Sequence, residues 1–404
     1  MFKRLLRFLL THDSYSCGRC GLQLARLQLQ PRGLRPLQVA FRNCSKRLGM
    51  KFDLMQRYKI FLKSRLFLAY AFIAFVFLLS QIFTAGLAAA QATFPATFHE
   101  DLQSLKLDTS GLKAEVPVPG ALEDDPSKNF TRQRFQLQWR PDDRLDLYIV
   151  RPRGVTKPPV ILYLYSFPQD TERFNDDRWC TRVTNGGFAA VGFVSALTGH
   201  RYRDRPPKEW FISELRESLV KSAHDVQMIL NHLAEHENLD MNRVAMFGQG
   251  SGATIAILAS MVDPRIHVLH LVTPWGDWPD WLTRVPIIPA EERNNYLKPG
   301  YLKQIASLDP IHTLPKVKAE KILLQNLRQD AVTPGICEER IEKAAPTRTL
   351  IDQFGDGRAY ASQFAGGKLF DWMKGELQPN AELAATNRRE QRIRYFPPKG
   401  ETVH

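Results

Sequence analysis

The sequence predicts an α/β fold with a mostly parallel central sheet flanked by helices. Three observations carry that prediction. Apolar, strand-like runs alternate along the chain with segments of helical periodicity. Two of the runs, PVILYLY (Pro159–Tyr165) and GFAAVGFVSA (Gly187–Ala196), are apolar throughout, as strands covered on both faces must be. The stretch RVAMFGQGSGATIAILAS (Arg243–Ser260) passes from a short apolar strand through a glycine-rich turn into an Ala/Ile/Leu helix.

The elements follow in order. Residues 93–133 are polar and turn-rich and read as an irregular N-terminal arm. Arg134–Trp139 and Arg144–Val150 are strand-like and are joined by Pro141-Asp142-Asp143, a hairpin signal. A helix-length polar segment, Asp170–Asn185, separates the two apolar runs. Glu214–Ala234 is amphipathic, with Leu215, Leu219, Ser222, Val226, Ile229 and Leu233 recurring at helical spacing. After the elbow-like stretch come strands at Arg265–Thr273, Lys321–Asn326 and Thr347–Ile351, then a helical segment, Tyr360–Lys374. Such alternation implies right-handed crossovers between parallel strands. The body spans 134–376, and residues 377–404 form a polar tail.

The chain has 404 residues and a formal net charge of +13. Residues 1–66 hold 15 Lys and Arg against two acids, Asp13 and Asp53, so the whole excess lies there. The remainder is balanced and gives no electrostatic reason to bind nucleic acid. From Leu66 to Ala90 no residue is charged. A strongly apolar part, Leu66–Leu79, follows basic residues and precedes Ala90-Gln91-Ala92, which fits a signal-peptide cleavage site. Residues 50–92 therefore read as a signal peptide or, alternatively, an uncleaved anchor in the membrane. Either reading exports the body. Residues 1–49 form a basic leader, long for a secretory start, with Met50 and Met55 as other possible beginnings and an Arg-rich, acid-poor organelle transit peptide as the alternative. Cys17 and Cys20 lack a second pair and carry no role. Of the body's cysteines, Cys180 and Cys337 read as free buried thiols, although one disulfide is open.

With its glycines in place, the turn reads Gly248-Gln249-Gly250-Ser251-Gly252. The ordered set of segments resembles the α/β-hydrolase-fold family, in its dienelactone-hydrolase and prolyl-peptidase-like branch. The resemblance covers about Arg134–Lys374. It rests on the strand pair leading into VILYLYSF, on NGGFAAVGFVSALTGHR, on the elbow, and on SLDPIHTLPKVKAEKILLQNLRQDAVTP. It implies an α/β-hydrolase fold with a short Trp-rich cap insertion, and chemistry on ester or peptide bonds by a nucleophile, a histidine and an acid.

The residues that would perform that chemistry are altered. Gly248 and Gly252 flank the elbow, and the nucleophile position is Gly250, which has no hydroxyl. Ser251 follows it and either opens the helix with a local hydrogen bond or serves as a displaced nucleophile. Asp330 matches the acid position. Family order requires a histidine after it, but only His404 follows, and the expected loop reads Phe354-Gly355-Asp356-Gly357-Arg358. His200, in LTGHRYRDR, is either a solvated loop residue or a stand-in base at the mouth of the cleft. Ser166, at the exit of the third body strand, replaces the His-Gly often found near the oxyanion hole. Trp275, Trp278 and Trp281 in PWGDWPDWLTRVP either stack on a ligand or close a small lid onto the core. Asp277 and Asp280 between them are solvated or ligand-binding. No metal-ligand spacing stands out, and no cofactor is expected.

The expected protein is thus an exported α/β-hydrolase-like chain that lacks the usual Ser-His-Asp activity. It would act by binding a small ester, peptide or sugar ligand, or a partner. The alternative is a serine hydrolase built on Ser251, Asp330 and His200.

Overall fold

Among the described residues nine strands form one sheet, in the order β1-β2-β3-β5-β4-β6-β7-β8-β9. The computed structural model describes residues 99–118, 120–169, 171–197, 201, 211–328 and 330–378. The leader, the apolar segment and the tail beyond 378 lie outside them, so the readings of residues 1–92 do too. The described residues fall within one compact unit, Ala90–His404. Among them no helix is long and apolar enough to cross a membrane.

The strands are β1 Ala121–Glu123, β2 Phe130–Arg140, β3 Asp143–Pro152, β4 Pro159–Leu164, β5 Ala189–Phe193, β6 Asp240–Gln249, β7 Ile266–Val272, β8 Lys321–Leu327 and β9 Thr349–Phe354. The first three and β5 pair antiparallel. From β5 through β4, β6, β7 and β8 to β9 every pairing is parallel. The predicted hairpin is β2–β3, closed with Arg140 opposite Asp143. The helices used below are α1 Asp177–Thr184, α2 Leu215–His236, α3 Ser251–Val262, α4 Trp278–Arg284, α5 Gly335–Ala344, α6 Gly357–Gly366 and α7 Asp371–Leu377.

Strand β4 shows why its apolar run is unbroken. Side chains alternate across a strand. Val160, Leu162 and Leu164 enter the core layer that holds α2 and α3. Ile161, Tyr163 and Tyr165 enter the opposite layer, with Trp179 of α1 and Phe370, Trp372 and Met373 by α7. Both faces are covered, so both registers must be apolar. Strand β6 divides the same way: Val244 and Met246 face one layer, Ala245 and Phe247 the other.

The α/β-hydrolase class and the mostly parallel sheet match the expectation, and the body differs from it in detail. The arm contributes a strand, β1, although Leu122 is largely exposed there and gives no alternating pattern. The last helical segment is two helices, because Gly367 takes φ +75° and caps the first. The arm is also tied down. Glu115 bridges to Gln138 by two backbone hydrogen bonds of 2.8 and 2.9 Å. Glu100 makes a bidentate pair with Arg140 at 2.6 and 2.7 Å and meets Nδ1 of His224 at 2.6 Å. Gln227 donates to the Leu105 carbonyl and accepts from the Leu107 N–H.

Candidate functional site

The C-terminal ends of β4, β6, β7 and β8 lie along one edge of the sheet. In parallel sheets the open chain ends beyond that edge form the ligand side. Ser166, Gly250, the segment from Thr273 to Trp281, and Asp330 all occur there, because each is the first turn after its strand.

The elbow is built around three glycines, present for two different reasons. Gly250 adopts φ +55° and ψ −120°. A residue with a side chain would be strained there, by about 1–3 kcal/mol. A Cβ on Gly252 would stand 2.1 Å from the Leu164 carbonyl oxygen, and one on Gly248 would stand 2.5 Å from the Cα of Ala253. Those two must be bare so that α3 can pack directly on β4 and β6. The bend is fixed by the Gly250 N–H donating to the Val272 carbonyl at 2.9 Å, and by the Gly250 carbonyl accepting from Ala253 and Thr254. Gly250 thus turns the chain sharply between β6 and α3 and brings no hydroxyl to that turn.

Ser251 is the first residue of α3 and is 2 % exposed. Its Oγ accepts a 2.8 Å hydrogen bond from the Phe167 N–H. That N–H belongs to the loop that follows β4, so the Ser251 hydroxyl ties that loop to the start of α3. Asp330 accepts from the Thr333 N–H at 2.9 Å through Oδ2, closing its own turn. His200 lies outside the described residues. Its neighbour Arg201 is buried and binds Asp143 through Nε at 2.9 Å and Asp225 through Nη1 at 2.5 Å. In the loop after β9, Asp356 caps α6 by accepting from the Ala359 N–H at 2.8 Å.

Trp275, Trp278 and Trp281 are buried together in the layer that holds α2 and α3. The rings of Trp275 and Trp281 are 5.0 Å apart, and Trp278 meets Trp281 edge-on at 5.6 Å. Thr254 ties the group to the elbow by donating to the Trp275 carbonyl at 2.7 Å. Asp277 and Asp280 both pair with Arg340 of α5. The turn into α4 is held by Asp309, whose carboxylate accepts from the N–H groups of Asp277 and Trp278 at 2.7 and 2.8 Å. Cys180 and Cys337 are both free and buried. Burial pushes their thiols up, to about 11 and about 12. Among the described residues no cluster of His, Cys, Asp and Glu could hold a metal ion.

Three features of the site are not legible in the sequence. Tyr360 of α6 reaches back to the elbow and donates to Oε1 of Gln249 at 2.9 Å. Glu338 on α5 is buried, and its carboxyl is pushed up to about 7, first by burial and then by the charge of Asp330. Ser166 crowds the space in front of Gly250. A Cβ there would stand 2.4 Å from Ser166 Oγ and 3.1 Å from Trp275 Nε1. Each contact joins residues on different elements or depends on helix phase, and local pattern carries neither.

Comparison with solved structures decides the fold. An acetyl xylan esterase from Paenibacillus sp. R4 is similar with a TM-score of 0.52 at 16% identity, over 66% of this chain and 92% of its own. Acetyl xylan esterase 1 from Thermoanaerobacterium sp. JW/SL YS485 gives 0.50 at 13%, over 64% and 88%. The fold is that of the α/β hydrolases. No family model matches the sequence, and no curated protein matches it. At these identities the likeness concerns the fold and not the chemistry. Within that fold, this chain has Gly250 at the centre of the turn after β6 and a single histidine, His404, after Asp330.

Proposed function

We propose that this chain is an exported, non-hydrolytic member of the α/β-hydrolase fold, of the dienelactone-hydrolase and prolyl-peptidase-like kind, which binds a small ligand or a partner at the sheet edge around Gly250. One observation carries the reading: the elbow bend is intact and the residue at its tip has no side chain. Without an attacking oxygen no acyl-enzyme forms. In a serine protease of this logic, loss of the nucleophile or base costs about 10⁶-fold in rate.

The neighbouring hydroxyl supports the same reading. Ser251 is committed to the Phe167 N–H, which takes up one serine and one oxyanion donor at once. Asp330 is committed to its own turn. The export part of the reading rests on the uncharged stretch Leu66–Ala90 and the basic residues before it.

Hydrolysis of p-nitrophenyl acetate tests the reading. Wild-type protein and Ser251→Ala should turn over at the same background rate. A wild-type rate that falls a hundredfold or more in Ser251→Ala would establish a displaced serine hydrolase instead.

A further inference from the structure

The end of α2 carries two histidines that the site at Gly250 does not use. Helix α2 leads into β6, so its last residues lie by the starts of the parallel strands, at the edge of the sheet opposite Gly250. His232 and His236 are four residues apart there and share one face of the helix. Their ring centroids are 4.8 Å apart, with the planes at 39°. His232 is 5 % exposed and packs on Phe135, while the His236 side chain is 55 % exposed. Nδ1 of His232 is buried with no hydrogen-bond partner among the described residues. Its Nε2 stands 3.9 Å from Glu237 Oε1, beyond hydrogen-bond length. A buried imidazole left in that state calls for a reason, and a bound ion is one.

We propose that His232 and His236 form a two-imidazole site for a late first-row divalent ion, of the Ni²⁺, Cu²⁺ and Zn²⁺ group. The separation of the rings fits. With metal–nitrogen bonds of about 2.1 Å and an angle of about 90–110° at the ion, the centroids of two ligating imidazoles lie about 4.5–5 Å apart. The surroundings favour a cation. Glu237 lies beside His232, and Glu235 Oε2 stands 3.6 Å from Nε2 of His236. These two carboxylates are offset by the guanidinium of Arg151, which pairs with the other oxygen of Glu237. The free carbonyls at the end of a helix add negative partial charge.

The donor set selects the class of ion. Imidazole nitrogen suits nickel, copper and zinc, whereas Mg²⁺ and Ca²⁺ take oxygen ligands. Among the described residues no third His, Cys, Asp or Glu joins the pair as a ligand. The site is therefore open, with water in the remaining positions. An ion there would pin the last two turns of α2 together and stabilise the fold. It would stand away from the Gly250 turn, so the pair holds whether or not that turn is hydrolytic.

Isothermal titration calorimetry of the untagged full chain with Ni²⁺ tests this, with Mg²⁺ as the control. Ni²⁺ should bind and Mg²⁺ should not. His236→Ala removes an exposed ring, so the chain should fold as wild type by circular dichroism. It should weaken Ni²⁺ binding about tenfold or more, because the second ligand of a chelate acts at high effective concentration. His232→Asn should weaken it likewise. Ni²⁺ should raise the melting temperature of wild type and leave that of His236→Ala unchanged. Electron paramagnetic resonance of bound Cu²⁺ should report two imidazole nitrogens in wild type and one in His236→Ala. The proposal fails if Ni²⁺ does not bind, if His236→Ala binds it like wild type, if Mg²⁺ binds equally well, or if copper meets fewer than two imidazole nitrogens.

Discussion

At the scale of single residues, the elbow is governed by what a Cβ would meet. Gly250→Ser restores a hydroxyl to the sequence but drives its Cβ against Ser166 and into a strained φ. We expect that variant to lose roughly 2–4 kcal/mol of stability, the combined size of strain and overpacking, and to gain no esterase activity. Gly250→Ser with Ser166→Gly should recover part of the loss, read by chemical denaturation. Ser251→Ala leaves the Phe167 N–H without its acceptor and should cost about 1–3 kcal/mol in the same measurement. Glu338 gives a residue-level pH effect. Its folded pKa of about 7 lies above its ordinary value of 4.5. Its proton is held more tightly when folded, so its contribution is present at low pH and is lost as pH rises through 7. Glu338→Gln should therefore raise the melting temperature at pH 8 relative to wild type, with little change at pH 4. At this scale the sequence shows Gly250 at the centre of the turn and His404 as the one histidine after Asp330 directly, because both are read from position alone. It does not show Ser166 filling the place, because that contact joins two strands 84 residues apart in the chain.

At the scale of elements, strands buried on both faces are the easiest to read. The runs at β4 and β5 are legible because each register meets its own apolar layer. Strand β6 begins at Asp240, four residues before its first buried residue, Val244, and of those four (Asp240, Met241, Asn242 and Arg243) three are polar and none is buried. Only pairing to Pro159 makes them strand. The short edge strand β1 and the break at Gly367 escape for similar reasons: one lacks a pattern, and the other depends on one glycine conformation. The segment after β7 is an element whose packing is its main output. Its three indoles fill one patch of core beside the elbow. Trp281→Ala should cost about 3–5 kcal/mol, the range for deleting a large buried aromatic, and should loosen the neighbouring Gly250 turn. Hydrogen exchange of the Gly250 amide, which donates to Val272, would report that loosening.

At the scale of the whole molecule, the sheet positions the site and buried charges and imidazoles set its acid tolerance. The arm, read as irregular, is fastened through Glu100 to Arg140 and His224. Burial alone would raise the Glu100 carboxyl, but hydrogen bonds from His224 and Arg140 and the Arg140 charge hold it down near 2. That contribution is present above about pH 4.5 and is lost as pH falls toward 2. Burial pushes His270 and His232 down to about 4. Their neutral forms stabilise the fold above about pH 6.5, and that support is lost as pH falls from 6.5 to 4. Melting temperature should thus drop between pH 6.5 and 4, and His270→Gln should flatten the slope. These partnerships bring distant segments together, so no local stretch of sequence announces them. The central claim is that this scaffold holds a hydrolase elbow with no activated serine. Fluorophosphonate labelling of the full chain, read by intact-mass spectrometry and peptide mapping, tests it most directly. The account expects no stoichiometric adduct, and a single adduct mapped to Ser251 would contradict it.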